Sequence, residues 1–251
     1  MESLKTGMAT WHPAFNNATL AMARAIALAK EKGIGVVTLR NTNHWMRGGT
    51  YGWQAADAGC IGICTTNTIA VMPPWGGSEA RLGNNPLVIA VPRKKGHVVL
   101  DMALSQFSYG KMQEYKMAGK QLPVAGGYDQ NGKLSTDPGT ISKLKRPLPV
   151  GYWKGSGLSV MIDLLVAGLS GGKTVSEITA SENEYGVCQL FFAINAENLS
   201  QELIERVIIY TKSSAGEDIR YPGEQVLRSR NLAAIEGIEV NDSIWEQVQA
   251  M

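Results

Sequence analysis

Two short apolar runs, IGVVTLR at 34–40 and CIGICTT at 60–66, constrain this chain more than any other feature. Both read as strands, the first because it is rich in β-branched residues. Each follows a helix-forming stretch that stops on a glycine: residues 16–32 before Gly33, and 51–58 before Gly59. In the first stretch Leu20, Ala23, Ala27 and Leu28 recur near helical spacing. Helix, strand, helix, strand in succession predicts an α/β or mixed α+β sheet domain with covering helices.

Further along, LVIAV (87–91) and HVVLDM (97–102) read as strands joined by the turn PRKKG, a hairpin. Residues 102–150 are weakly patterned, and an excursion that long is more often functional than inert. A helix follows over 158–169, led in by GYWKGSG and closed by Gly171. Residues 188–195 read as a strand. Residues 202–212 read as an amphipathic helix capped by Asn198 or Ser200, and IEVNDSIWEQVQA ends in a short helix. There is no internal repeat, low-complexity tract or heptad seam.

Composition narrows the function. A net charge of +2 over 251 residues argues against a general nucleic-acid or membrane-surface binder. The one basic cluster, Lys143, Lys145 and Arg146, reads as a solvated loop. Cys60, Cys64 and Cys188 are too few for a disulfide framework, and no Cys or His pair at ligand spacing predicts a metal. Cys60 and Cys64 fall on one face of their strand, as small buried hydrophobes would. MESLKTGMATWHPAF lacks a signal-peptide core, and the longest apolar stretch, Val160–Leu169, is short and broken by Asp163. A cytoplasmic protein is expected.

Several familiar motifs fail. SGGKT at 170–174 has only three residues after Gly168, one short of a P-loop. No G-x-G-x-x-G follows a strand, so an ordinary Rossmann site is not expected, and no G-x-S-x-G elbow is present. The chemistry instead gathers around His44, in a polar loop after a strand, with Arg47 three residues on and Gly48–Gly49 beyond. An imidazole can protonate a carbonyl oxygen as hydride reaches its carbon, and a guanidinium can hold a carboxylate. The competing reading is a histidine that only caps its loop. Asp101 ends a strand, as a cap or as a charged partner in a site. His97 is expected to be exposed, and His12 to be idle. Lys154, in a glycine-rich turn before a helix, suits a phosphate or is simply solvated.

The segments RNTNHWMRGGTYGWQAADAGCIGIC, NTIAVMPPWGG, FSYGKM, AGKQLPVAGGYD and GYWKGSGLS closely resemble the malate/L-lactate dehydrogenase-like oxidoreductase family, from about Phe15 to the end of the chain. The resemblance implies a non-Rossmann nicotinamide-binding fold, with NADH preferred to NADPH, and a homodimer with cofactor near the subunit interface. It implies reduction of a small 2-oxo acid, expected to be a 2,3-diketo sugar acid. Malate, lactate, ureidoglycolate or a cyclic imino acid are the alternatives within the class. Cofactor contacts are implied at His97, Val98, Val99, Leu100, Asp101, Met102 and Ala103, at Trp153 and Lys154, and at Gly223, Glu224 and Gln225. His44 would line the active site, with Arg47 and Asp101 as its catalytic companions. A single unit is expected, with a central sheet and cofactor-binding excursion over about 15–157. A helix-rich part over about 158–251 would pack back on it. The family's opening Ser-His-Gly segment, which carries its usual proton donor, has no match here. The expectation is therefore an N-terminally truncated chain that exposes apolar surface. His44 would then be its remaining acid, or the chain would be a nucleotide-binding or dimerisation module without turnover.

Overall fold

The computed structural model describes residues 6–8, 14–181, 183–238, 240 and 242–250, so His12 lies outside the described residues. The elements run β1 (Thr6–Met8), α1 (Ala14–Lys32), β2 (Ile34–Thr42), α2 (Gly49–Asp57), β3 (Cys60–Thr66), β4 (Ala70–Met72), β5 (Leu82–Gly83), β6 (Leu87–Val91) and β7 (Val98–Met102). They continue through α3 (Tyr109–Met117), β8 (Gly127–Tyr128), β9 (Leu134–Ser135), α4 (Pro138–Leu144), α5 (Trp153–Ser170), α6 (Val175–Ala180), β10 (Val187–Asn195), α7 (Gln201–Lys212), α8 (Glu224–Glu236) and α9 (Asp242–Gln249).

Six strands form the main sheet in the order β1-β2-β10-β3-β6-β7. Only β1 and β2 pair in parallel; the remaining neighbours are antiparallel. The fold is thus mixed α+β. The β2–α2–β3 crossover leaves a slot between its two strands. β10 fills it from more than a hundred residues away, with Leu190 opposite both Thr38 and Thr65. β6 and β7 make the expected hairpin, Val91 facing Val98.

Alternation along β10 separates two cores. Phe191 and Ala193 face α1 and α2 together with Cys60, Cys64, Val88 and Val99. Cys188 and Leu190 face α5 with Ile162 and Val166. All three cysteines are free and buried, and burial pushes each thiol up, so they act as small hydrophobes. α1 lies on the sheet through Ala18, Ala21, Met22, Ala25 and Ala29, while Leu20 points outward. Alanines let its backbone approach so closely that a Cβ on Gly35 would sit 1.9 Å from the Ala25 carbonyl oxygen.

The 102–150 excursion is more ordered than its sequence suggests. Ser108 caps α3 by accepting from the Lys111 N–H, and Asp137 caps α4 by accepting from Gly139 and Thr140. Met112, Leu122 and Ile141 form its own small core. Lys143 belongs to α4 rather than to a loop, and the Arg146 guanidinium donates to the Asp129 carbonyl. α5 begins at Trp153, so GYWKGSG runs into the helix instead of leading up to it. Gly171, at φ 63°, ends that helix as expected, and Ser200 caps α7. α6 and α8 had not been anticipated. No helix among the described residues is long and apolar enough to cross a membrane.

Candidate active site

Residues 43–48 link β2 to α2; the backbone turns left-handed at Asn41 (φ 55°), near the end of β2, and again at Met46 (φ 65°) in the loop. The Met46 N–H donates to His44 Nδ1 at 3.0 Å. An accepting Nδ1 places the neutral imidazole's proton on Nε2, in an exposed side chain. The Tyr51 hydroxyl donates to the Trp45 carbonyl at 2.7 Å, and Trp45, Tyr51 and Phe191 pack ring against ring. This buried aromatic cluster anchors the base of the loop. Glu184 lies near His44: burial pushes its carboxyl up, and the imidazole pulls it back down. Sequence reasoning missed Glu184, because no local motif marks a carboxylate brought in from a distant loop.

Gly49, the first residue of α2, donates its N–H to Asp101 Oδ2 at 2.9 Å. The helix start is therefore capped by a carboxylate from β7. The anticipated capping role of Asp101 holds, but across the sheet rather than within its own segment. A Cβ on Gly49 would lie 2.6 Å from that carboxylate oxygen, and one on Gly48 would meet Trp45 and Val88. These two buried glycines serve protein packing, not the approach of a ligand.

Asp101, Met102 and Ala103 line a cavity of about 410 Å³ with Ser105, Lys111 and Val150. That size lies at the lower end for ligand sites. Lys111, at its rim, pairs with Glu114 at 2.6 Å. The other end of the same strand is closed. His97 is half-buried, not exposed: its Nδ1 accepts from the Arg93 N–H at 3.0 Å and its Nε2 meets Asp57 at 2.9 Å. Val99 is in the core; its N–H donates to the Pro222 carbonyl, and Gly223 lies against its backbone. Val98 lines an apolar groove with Leu203 and Val207 of α7. Leu100 pairs with Ile89 across the hairpin.

The remaining expected residues lie at the starts of α8 and α5, the first of which meets β7 through Gly223. Gly223 caps α8, Glu224 accepts from Lys212 at 2.6 Å, and Gln225 accepts from Arg220 at 2.9 Å. Lys212 holds the Glu224 carboxyl below its ordinary range. Trp153 and Lys154 open α5 on the opposite face of the sheet and are exposed. Arg47 opens onto a third place, the cleft along α2 between α1 and α8. Among the described residues no cluster of three or more His, Cys, Asp or Glu could hold a metal ion.

Comparison with known proteins accords with this fold. The malate/L-lactate dehydrogenase family profile matches residues 7–249. The 2,3-diketo-L-gulonate reductase of Citrobacter koseri is 48% identical over 240 residues, covering 92% of this chain and 72% of that protein. That of Salmonella typhi is 47% identical over the same coverage. Among solved structures, sulfolactate dehydrogenase from Methanocaldococcus jannaschii superposes with a TM-score of 0.80 at 32% identity, covering 96% of this chain and 71% of that one. Malate dehydrogenase from Pyrococcus horikoshii superposes at 0.81 and 31% identity, covering 93% and 68%. The chain belongs to the malate/L-lactate dehydrogenase family of oxidoreductases.

Proposed function

We propose that this chain reduces 2,3-diketo-L-gulonate to 3-dehydro-L-gulonate, using NADH in preference to NADPH, as a cytoplasmic homodimer. The observation that carries the reading is the His44 loop. Its Nδ1 is occupied by the Met46 N–H, so the Nε2–H is free to donate. The loop is pinned to the end of β7 through Gly49 and Asp101. An Nε2–H aimed at a ketone oxygen stabilises the negative charge that develops there during reduction. A reduced nicotinamide supplies the hydride when bound. The cavity beside Asp101 supports a place for it, with Asp101, Met102 and Ala103 as wall and Ser105 and Lys111 as polar groups at the rim. Arg47, three residues on from His44, lines the cleft along α2.

Two features support a homodimer. Of the residues implied in cofactor binding, Asp101, Met102 and Ala103 line one cavity, Gly223 lies against Val99, and Trp153 and Lys154 are exposed at the start of α5, so they are spread over more than one surface of the chain. α5 also presents Leu158, Val160, Met161, Leu164 and Leu165 outward, an apolar face that isolated monomers rarely leave bare. Three free thiols and no disulfide among the described residues suit a reducing compartment. The same scatter of cofactor residues favours a second reading, a nucleotide-binding or dimerisation module without turnover.

NADH oxidation measured with 2,3-diketo-L-gulonate, oxaloacetate, pyruvate and the oxo acid of ureidoglycolate separates the two. The diketo acid should be turned over fastest, and His44→Asn should lower kcat by about 10²-fold or more. Equal rates for His44→Asn and the parent would remove His44 from the chemistry. NADH uptake with no turnover of any substrate would favour the module.

A further inference from the structure

Arg47 and Arg230 have no acceptor and no carboxylate partner among the described residues; Arg230 contacts only the Trp53 ring, 4.5 Å from its centroid. Both are exposed, and both line the cleft of about 730 Å³ that runs along the outer side of α2. Thr19 of α1 and Thr50 of α2 line it as well. Its one carboxylate lining group, Asp57, already meets the His97 ring at 2.9 Å. Two guanidinium charges against one carboxylate leave the cleft net positive, which favours a bound anion. The volume lies within the range of small-molecule sites.

The cleft's surfaces narrow the ligand. Trp53 is only 9% exposed and has a guanidinium over its ring, so no open aromatic face remains for a nucleobase. A single carboxylate would engage one guanidinium and leave the other unmatched. A phosphate monoester carries close to two negative charges at neutral pH and accepts from planar guanidinium forks. We propose that the Arg47–Arg230 cleft is a binding site for a small phosphate-bearing dianion, separate from the cavity beside Asp101. Thr50, which lines the same cleft, would add a hydroxyl donor.

Calorimetric titration of the full chain with inorganic phosphate in chloride buffer tests this, with malonate as a dicarboxylate of equal charge. Phosphate should bind with measurable heat and more tightly than malonate. Arg47→Gln and Arg230→Gln should each weaken phosphate binding by about tenfold or more. Because Arg230 also covers Trp53, Arg230→Lys is the second variant: it keeps the charge, loses the fork, and should fall between parent and Gln. Unchanged melting temperatures verify that each variant folds. No heat with the parent, unchanged affinity in the arginine variants, or tighter binding of malonate would each overturn the proposal. The titration involves neither nicotinamide nor oxo acid, so its failure leaves the reductase reading standing.

Discussion

α1 and α5 cover opposite faces of one sheet and do so by different means. α1 seats alanines and Met22 against β2 and β10, and its nearest approach at Gly35 is backbone to backbone. α5 seats Gly155, Ser156, Ser159 and Ser170 along with Ile162 and Val166. Hydrogen bonds hold much of that contact: Ser159 Oγ donates to the Gly83 carbonyl at 2.9 Å, Asn85 donates to the Ser159 carbonyl, and Ser156 Oγ accepts from the Trp75 N–H. Leu158, Val160, Met161, Leu164 and Leu165 face the other way. An apolar stripe therefore does not always mark the side of a helix that meets its own core. On α1 the small residues are the core side because close approach is needed there. On α5 the small and polar residues again take the core side, with Ile162 and Val166 among them, and Leu158, Val160, Met161, Leu164 and Leu165 stay exposed.

The contrast can be broken at several points. The largest effect is expected on the α1 side. Gly35→Ala drives a methyl into the Ala25 carbonyl and should cost about 3 kcal/mol or more, or prevent folding, as read by denaturant unfolding. On the α5 side, Asn85→Ala strips the Thr68 N–H of its acceptor and the Ser159 carbonyl of a donor, all in the interior. That should cost about 2–3 kcal/mol by the same measurement. A loss as small as that of a surface change would mean α5 is seated by its apolar residues after all.

Tyr51→Phe probes the α2 side. It removes one hydrogen bond beneath the His44 loop and should cost about 1 kcal/mol near neutrality. Burial pushes the Tyr51 phenol up to about 12, from an ordinary value of 10.0. The folded chain keeps that proton after the unfolded chain has begun to lose it. Stability from the buried phenol is thus whole below pH 10.0 and is lost as pH rises toward about 12. Unfolding curves of Tyr51→Phe should therefore converge on those of the parent in alkali. The smallest effect on the chain itself belongs to Met161→Gln with Leu164→Gln. Stability should move by within about 0.5 kcal/mol, because both side chains are exposed. Sedimentation should nonetheless show loss of self-association; an unchanged assembly would place the subunit contact elsewhere.

The strands were legible because β-branched runs bounded by glycine have few alternatives, and residues 60–66 and 87–91 came out as read. Caps such as Ser200 and stops such as Gly171 were legible for the same local reason. The position of β10 between β2 and β3 was not, since strand order depends on contacts more than a hundred residues apart. At the site, His44 and Asp101 could be singled out from their loop and strand-end positions. The link between them through Gly49 could not, nor could the direction of Arg47, which depends on how α1 and α8 flank α2. His97 looked exposed beside Lys94 and Lys95, but it turns inward to Asp57, a partner forty residues earlier.

Reduction of a ketone by this chain requires that it bind a reduced nicotinamide. Calorimetric titration of the purified, folded chain with NADH and then NADPH tests it most directly. Saturable uptake of NADH, tighter than that of NADPH, is the expected result. No heat from either nucleotide at any chain concentration would contradict it.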